Sequence, residues 1–425
     1  TLLSPDQQIA AVPYALQAEE ALRAADADSL DGLDSADLYT RAEVDALLAA
    51  QDARITDLET KLASVSVSGD DLYFTGVNVH VRSGSGATAG TINGLGNLIV
   101  GYDEPRSSGS DKSGSHNLVV GRYHNYTNYG GLVAGHWNTI SGNYSSVSGG
   151  RENTASGDYA SVSGGSDNTA DGDWSSVSGG AYNEASGSVS SVSGGRGNTA
   201  SGTSSSVSGG RENTASGYYA SVSGGYVNTA SASYASVSGG YVNTASGARS
   251  SVSGGRYNIA SGDYSSVLGG GGDSEAEGNE AWAHYSVIAG GRGNTAGDDA
   301  GTDRTVGEAS AVLAGSSNRT NQDIASVSGG AGNRASANGS SVSGGYLNIA
   351  SGYCSSVSSG VGNTASGSSS SVSGGYGNTA SGYSSSVSGG LENTASGDHS
   401  SVSGGYQRSV SGSYDWRAGD LFETQ

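Results

Sequence analysis

The chain has 425 residues, 73 of them Gly, with 34% hydrophobic residues, two Phe and no Met, so it cannot assemble a large globular core. A formal net charge of −21 and a pI near 4.4 argue against a nucleic-acid partner, because binding phosphates requires a basic stripe. No apolar run approaches the roughly 18 residues that span a bilayer, so no membrane insertion of its own is expected, and the lone Cys354 excludes an intrachain disulfide scaffold.

Residues 1–38 read as an attachment segment with a short helix, started by Ser4-Pro5-Asp6-Gln7 with its N-cap serine and first-turn proline. Thr1 in place of an initiating Met suggests a removed signal peptide and an extracellular or cell-surface location. Residues 39–66 read as a coiled coil. Thr40-Arg41-Ala42-Glu43 forms a capping box; Arg41, Leu48, Ile55 and Leu62 fall at a positions, and Val44, Gln51, Leu58 and Val65 at d positions. A helix of roughly 40 Å, at about 1.5 Å per residue, is too short to be stable alone. Val44, Leu48, Ile55, Leu58 and Leu62 are therefore expected to clamp a trimer. Residues 67–96 read as a β adaptor, since Leu72-Tyr73-Phe74 and the stretch Val77-Asn78-Val79-His80-Val81 alternate like strands.

From Asn97 a repeat takes over, marked by an apolar residue, one spacer and Gly at Ile99, Val119, Val133 and Val147. The period then locks to 15 from Val162 to Val267, passes insertions before Ile288 and Val312, and resumes from Val327 to Val402, giving 20 slots. A fixed apolar slot distinguishes this chain from disordered Ser/Gly-rich sequence. Stacked at about 4.8 Å, such coils make a rod of roughly 95 Å. Within residues 145–157, alternation places Ser145 and Val147 inside one short strand, and Asn153 and Ala155 inside a second. Gly149, Gly150 and Gly157 are expected at corners needing positive φ and close backbone approach. The recurring Asn predicts a buried ladder between coils, which Arg408 breaks before a C-terminal cap or tail over residues 413–425. The fold class expected is an all-β repeat, a parallel β-solenoid of 15-residue coils over residues 97–412, preceded by a short α-helical coiled coil.

The arrangement Ser-x-Val-x-Gly, with Ala-x-Gly beginning eight residues on from the Val, resembles the head repeats of trimeric autotransporter adhesins of Gram-negative bacteria. The resemblance implies a left-handed parallel β-roll, association of three chains into one head, and binding to matrix proteins or host surfaces. Val12-Pro13-Tyr14-Ala15 and Ala27-Asp28-Ser29-Leu30-Asp31-Gly32-Leu33 are similar to segments of trimeric tail-fibre-like proteins. In the adhesins the head precedes its stalk, whereas here the coiled coil comes first, so attachment through the N-terminal segment is expected.

Four residues after the Val, turn positions hold Arg151, Arg211 and Arg256, or Tyr226, Tyr241, Tyr346, Tyr376 and Tyr406. This column is the candidate ligand-binding surface, since exposed Tyr and Arg stack on sugars and pair with acidic groups; the alternative is that they pack on neighbouring turns. Outward rows such as Thr154 and Ser156 raise an ice-binding alternative. Acidic insertions at residues 271–280 and 298–308 could hold calcium through Asp273, Glu275, Glu277, Asp298, Asp299 and Asp303, although their spacing matches no defined calcium loop. His116, His124 and His136 read as exposed turn residues, and Cys354 as an outward variant of a position held by Tyr159 and Tyr264. No enzyme activity, metal or cofactor is expected. The partners expected are copies of the chain itself, as a homotrimer or an end-to-end filament, and cell-surface or matrix glycans and proteins.

Overall fold

The computed structural model describes residues 39–298 and 303–418, in two compact units, Thr1–His80 and Val81–Gln425. The helix expected from Ser4 lies outside the described residues.

In the first unit α1 (Arg41–Leu62) starts at the capping box: Thr40 Oγ1 accepts from the Glu43 N–H at 3.3 Å, and Glu43 Oε2 accepts from the Thr40 N–H at 2.7 Å. These bonds, the one from the Thr40 backbone first, hold the Glu43 carboxyl below its usual range. No residue of α1 is buried. The helix ends at Leu62, and Val65 opens a hairpin of β1 (Val65–Ser68) and β2 (Asp71–Phe74), with Val65 opposite Phe74. The heptad position expected at Val65 is thus corrected. Val65 and Val67 alternate with Ser66 and Ser68, a period of two that suits a strand and not a helical seam. Residues 77–81, expected as a strand, form none.

In the second unit each coil from that of Val119 to that of Val402 adds one short strand to each of two parallel sheets. The valine sheet runs from Leu98–Val100 through Ser146–Val147 to Trp416–Arg417 and contains all 20 apolar slots. The alanine sheet runs from Asn125–Tyr126 through Thr154–Ala155 to Ser409–Val410. Register is strict: Val147 pairs with Val162 and Val162 with Val177, while Ala155 pairs with Ala170. It survives both insertions, since Val267 pairs with Ile288 and Ile288 with Val312. The extra residues therefore bulge from an unbroken stack. The solenoid also extends past residue 412, because Trp416–Arg417 pairs with Ser401–Val402. Backbone pairing there needs no apolar slot.

The core is thin and repetitive. Ser145, Val147, Asn153 and Ala155 are all fully buried, as alternation requires. Asn153 Nδ2 donates to the Gly149 carbonyl at 3.2 Å and to Gly165 of the next coil at 3.0 Å, and its Oδ1 accepts from the Asn168 N–H at 3.0 Å. The ladder is thus chiefly side chain to backbone, satisfying groups that would be costly to bury unpaired. It runs from Asn138 to Asn393, includes Asn279 beyond the first insertion, and ends where the Arg408 N–H donates to Asn393 Oδ1 at 2.9 Å. His124 occupies its first rung: it is 1% exposed and its Nδ1 accepts from the Asn138 N–H at 3.3 Å. That corrects the exposed-turn expectation for His124, whose pKa burial lowers.

The corner glycines divide by cause. Gly150 has φ +80° and its missing Cβ leaves room for the Gly165 backbone; Gly157 has an ordinary φ, but a Cβ there would collide with the Gly172 backbone, whereas Gly149 has open space around it. Positive φ instead recurs at two non-glycine positions, exemplified by Glu152 and Tyr159, both at 59°. Their N–H groups are held by His136 and Asn143 carbonyls of the preceding coil at 3.1 and 2.8 Å.

Candidate functional site

The turn column predicted from sequence is one continuous edge. Backbone bridges join it in register from Arg151 to Arg256 and from Arg292 to Tyr406. Its members face outward and also pack on one another. Arg211 lies 5.4 Å from the Tyr226 ring, Tyr226 and Tyr241 stack at 5.2 Å, and Arg256 lies 5.2 Å from Tyr241, so two rings are sandwiched between two guanidinium groups. Arg151 pairs with Glu152 at 3.6 Å and Arg256 with Asp273 at 2.6 Å. Tyr346, Tyr376 and Tyr406 are exposed and alternate along the column with Val361 and Leu391.

Sequence reasoning missed the opposite edge. Eleven residues after Val133 and twelve after Val147 and Val162, on left-handed backbone, Tyr144, Tyr159 and Trp174 stack at 5.2 and 4.0 Å. A second run joins Tyr219 to Tyr234 at 5.3 Å, Tyr234 and Tyr264 to the intervening Arg249 at 5.5 and 5.1 Å, and Tyr264 to Tyr285 at 4.9 Å. The available signal was the return of Tyr159, Tyr234 and Tyr264 at multiples of the repeat. Cys354 stands in this same column as an exposed free thiol.

At the insertions the outward face of the alanine sheet changes character. Most coils place Thr and Ser there, as Thr214 and Ser216 do. Four successive coils instead present Ile259, Glu280, Thr295 and Arg319 in the first position and Ser261, Trp282, Gly297 and Asn321 in the second. The first insertion folds back as a 3-10 turn (Glu275–Glu277), pinned by Arg256 to Asp273 at 2.6 Å and Arg292 to Glu277 at 3.3 Å. From the second insertion Arg304 reaches within 5.5 Å of the Trp282 ring. Between them lies a cavity of about 510 Å³ whose walls include Tyr257, Ile259, Glu275, Glu280, Trp282 and Arg319. Burial pushes the Glu280 carboxyl above its usual range. The Trp282 indole N–H is buried and makes no hydrogen bond among the described residues.

Three of the carboxylates weighed for calcium are otherwise engaged. Asp273 and Glu277 face arginines, Asp303 is held below its usual range by bonds from Thr305, and Asp299 lies outside the described residues. Among the described residues no group of three or more His, Cys, Asp or Glu gathers as a metal site, and no helix is long and apolar enough to cross a membrane. No known family model matches the chain, and no curated protein matches it.

Proposed function

We propose that the protein is an extracellular, homotrimeric fibre that adheres to glycans or proteins of a cell surface or matrix through repeated contacts along its solenoid. The observation that carries this reading is the exposed stacking of Tyr, Trp and Arg along both edges, one residue per coil. Rings fixed at the coil spacing offer many equivalent weak contacts to a repetitive surface, and arrayed contacts multiply into avidity. In this reading the roll is left-handed and the protein is not an enzyme.

Trimerisation rests on apolar groups that are exposed among the described residues. Val44, Leu48, Ile55, Leu58 and Leu62 are exposed at heptad spacing, Leu58 by 54%. The outward face of the valine sheet is Ser-rich along most coils but apolar at Leu98, Val100 and Leu118, and again at Leu268 and Leu313, all exposed. Copies of the same chain would cover both sets in register.

A second reading, the filament subunit, is favoured by one observation: Ile99 in the first strand is 39% exposed, where Val119 of the next coil is fully buried. That open end could accept another fibre. Ice binding is weakened by Glu184, Ile259 and Glu280, which interrupt the outward Thr row. Electron microscopy with mass in solution separates these readings. Discrete rods of three chains that bind cells or matrix support adhesion, long filaments with a regular axial repeat make assembly the function, and monomers reject the trimer.

A further inference from the structure

We propose that the cleft between the two insertions is a discrete binding site for a neutral saccharide, one or two hexose units long, with Trp282 and Tyr257 as stacking walls and Glu280 as the central hydrogen-bonding group. The inference deepens the adhesion reading by naming one specific site, and does not depend on the oligomeric state.

The argument begins with how the repeat fails. A solenoid tolerates substitution on its outward face anywhere, so scattered changes carry no meaning. Here the changes are gathered: Ile259, Glu280 and Trp282 replace Thr or Ser on adjacent coils, and both insertions lie at those coils. A flat hydroxyl face thereby becomes a cavity of about 510 Å³, within the range of small-ligand sites. The first insertion, which lines it through Glu275, Ala276 and Gly278, is an irregular loop on a rigid scaffold, where specific recognition is expected.

The lining chemistry selects the ligand. An anion would meet the carboxylates of Glu275 and Glu280. A bare metal ion finds no gathered ligand set among the described residues. A hexose has C–H faces that pack on the Trp282 and Tyr257 rings and hydroxyls that pair with carboxyl and guanidinium groups. Glu280 lines the cleft, where its carboxyl oxygens accept such bonds from sugar hydroxyls.

The test uses the full chain and four neutral trisaccharides, namely chitotriose, cellotriose, maltotriose and mannotriose, with saturation-transfer NMR and titration calorimetry. The expected result is saturable binding of at least one, weakened about tenfold or more by Trp282→Ala and severalfold by Glu280→Gln, and unchanged by Gly209→Ala, at an open turn outside both the cleft and the edge columns. Glu275→Ala, on the exposed loop, serves as a second lining variant that leaves the stack intact should Trp282→Ala perturb folding. Absence of binding by all four sugars overturns the proposal. So does binding that Tyr226→Ala abolishes and the cleft variants leave unchanged, a result that would retain adhesion through the edge column. Loss of surface adhesion by the unaltered chain would instead remove the adhesion reading itself.

Discussion

α1 and a single solenoid coil use similar lengths of chain to opposite effect. The 22 residues of α1 bury no side chain, whereas the coil beginning at Val207 buries Val207, Asn213, Ala215 and Ala220 at no more than 1% exposure. The helix closes its hydrogen bonds within itself and leaves its apolar stripe outside. The coil closes almost none internally; its strands bond to the coils above and below, so stacking buries both faces of every inner layer at once. The solenoid is therefore complete as one chain, while the helix presents Leu48, Ile55, Leu58 and Leu62 to something else. Substitutions in the two regions should separate accordingly, into losses of stability that ignore protein concentration and losses of assembly that depend on it.

The largest loss is expected at the positive-φ corner. A Cβ on Gly210, at φ +85°, would lie 2.5 Å from Asn213 Nδ2 and 2.7 Å from the Gly225 nitrogen. Gly210→Ala should cost about 3–5 kcal/mol, through strain and backbone collision together. Gly209 has nothing within 4 Å, and its position is held by Ala314 and Ser359 in other coils, so Gly209→Ala should stay within about 0.5 kcal/mol. Thermal melts and local proteolysis of the two variants check the pair; equal costs would refute the assigned cause.

Asn213→Ala comes next. It removes the Nδ2 donor to the Gly209 carbonyl at 2.9 Å, leaves the Gly225 carbonyl with the Arg211 N–H alone after loss of a 3.0 Å bond, and orphans the Asn228 N–H, which donates to Oδ1 at 2.9 Å. A loss of about 2–4 kcal/mol is expected, localised to the flanking coils. Hydrogen exchange should show opening around residues 209–228 at any protein concentration. Uniform loosening of the whole solenoid would contradict nearest-neighbour stacking.

Ile55→Asp tests the other side of the comparison. It should weaken association of the proposed trimer at least about 30-fold, near 2 kcal/mol, and leave the solenoid melt unchanged. Analytical ultracentrifugation across a dilution series measures the first and calorimetry the second. A variant that remains trimeric would move the self-interface to the outward face of the valine sheet, where Leu268 and Leu313 are exposed.

The solenoid was legible because its constraints repeat. Val, Ala and Asn recur at buried positions with a fixed period, and a parallel stack places equal residues in equal environments. What escaped was whatever the period does not encode. The left-handed backbone at Glu152 and Tyr159 comes from bonds to the preceding coil and from no residue preference, so glycine was credited with a role it only partly fills. His124 hid in the Asn ladder because its coil is one residue short, which displaces it from the Asn offset counted from valine. The aromatic edge through Tyr234 and Tyr264 was diluted by Val189, Ser204 and Cys354 in the same column. The cleft needed coordinates, since Tyr257 and Trp282 approach one cavity only once the first insertion folds back over the sheet.

The smallest expected effect lies in that cleft, and its sign is the informative part. Burial raises the Glu280 pKa in the folded chain above its ordinary 4.5, so the folded state holds that proton more tightly than the unfolded state does. Glu280 therefore contributes most favourably below the unfolded value, and the contribution is lost as pH rises through the folded value. At neutral pH its carboxylate opposes folding, and Glu280→Gln, neutral and nearly isosteric, should stabilise the surrounding coils. Solvent still reaches the group, so the gain should not exceed about 1 kcal/mol, and it should vanish near pH 4. Melting curves of both proteins between those pH values measure it. A destabilised Gln variant at neutral pH would mean that a cation, not burial, governs this carboxylate. The same substitution is expected to weaken saccharide binding, so a chain made more stable and less adhesive would mark Glu280 as a residue kept for its ligand at the expense of the stack.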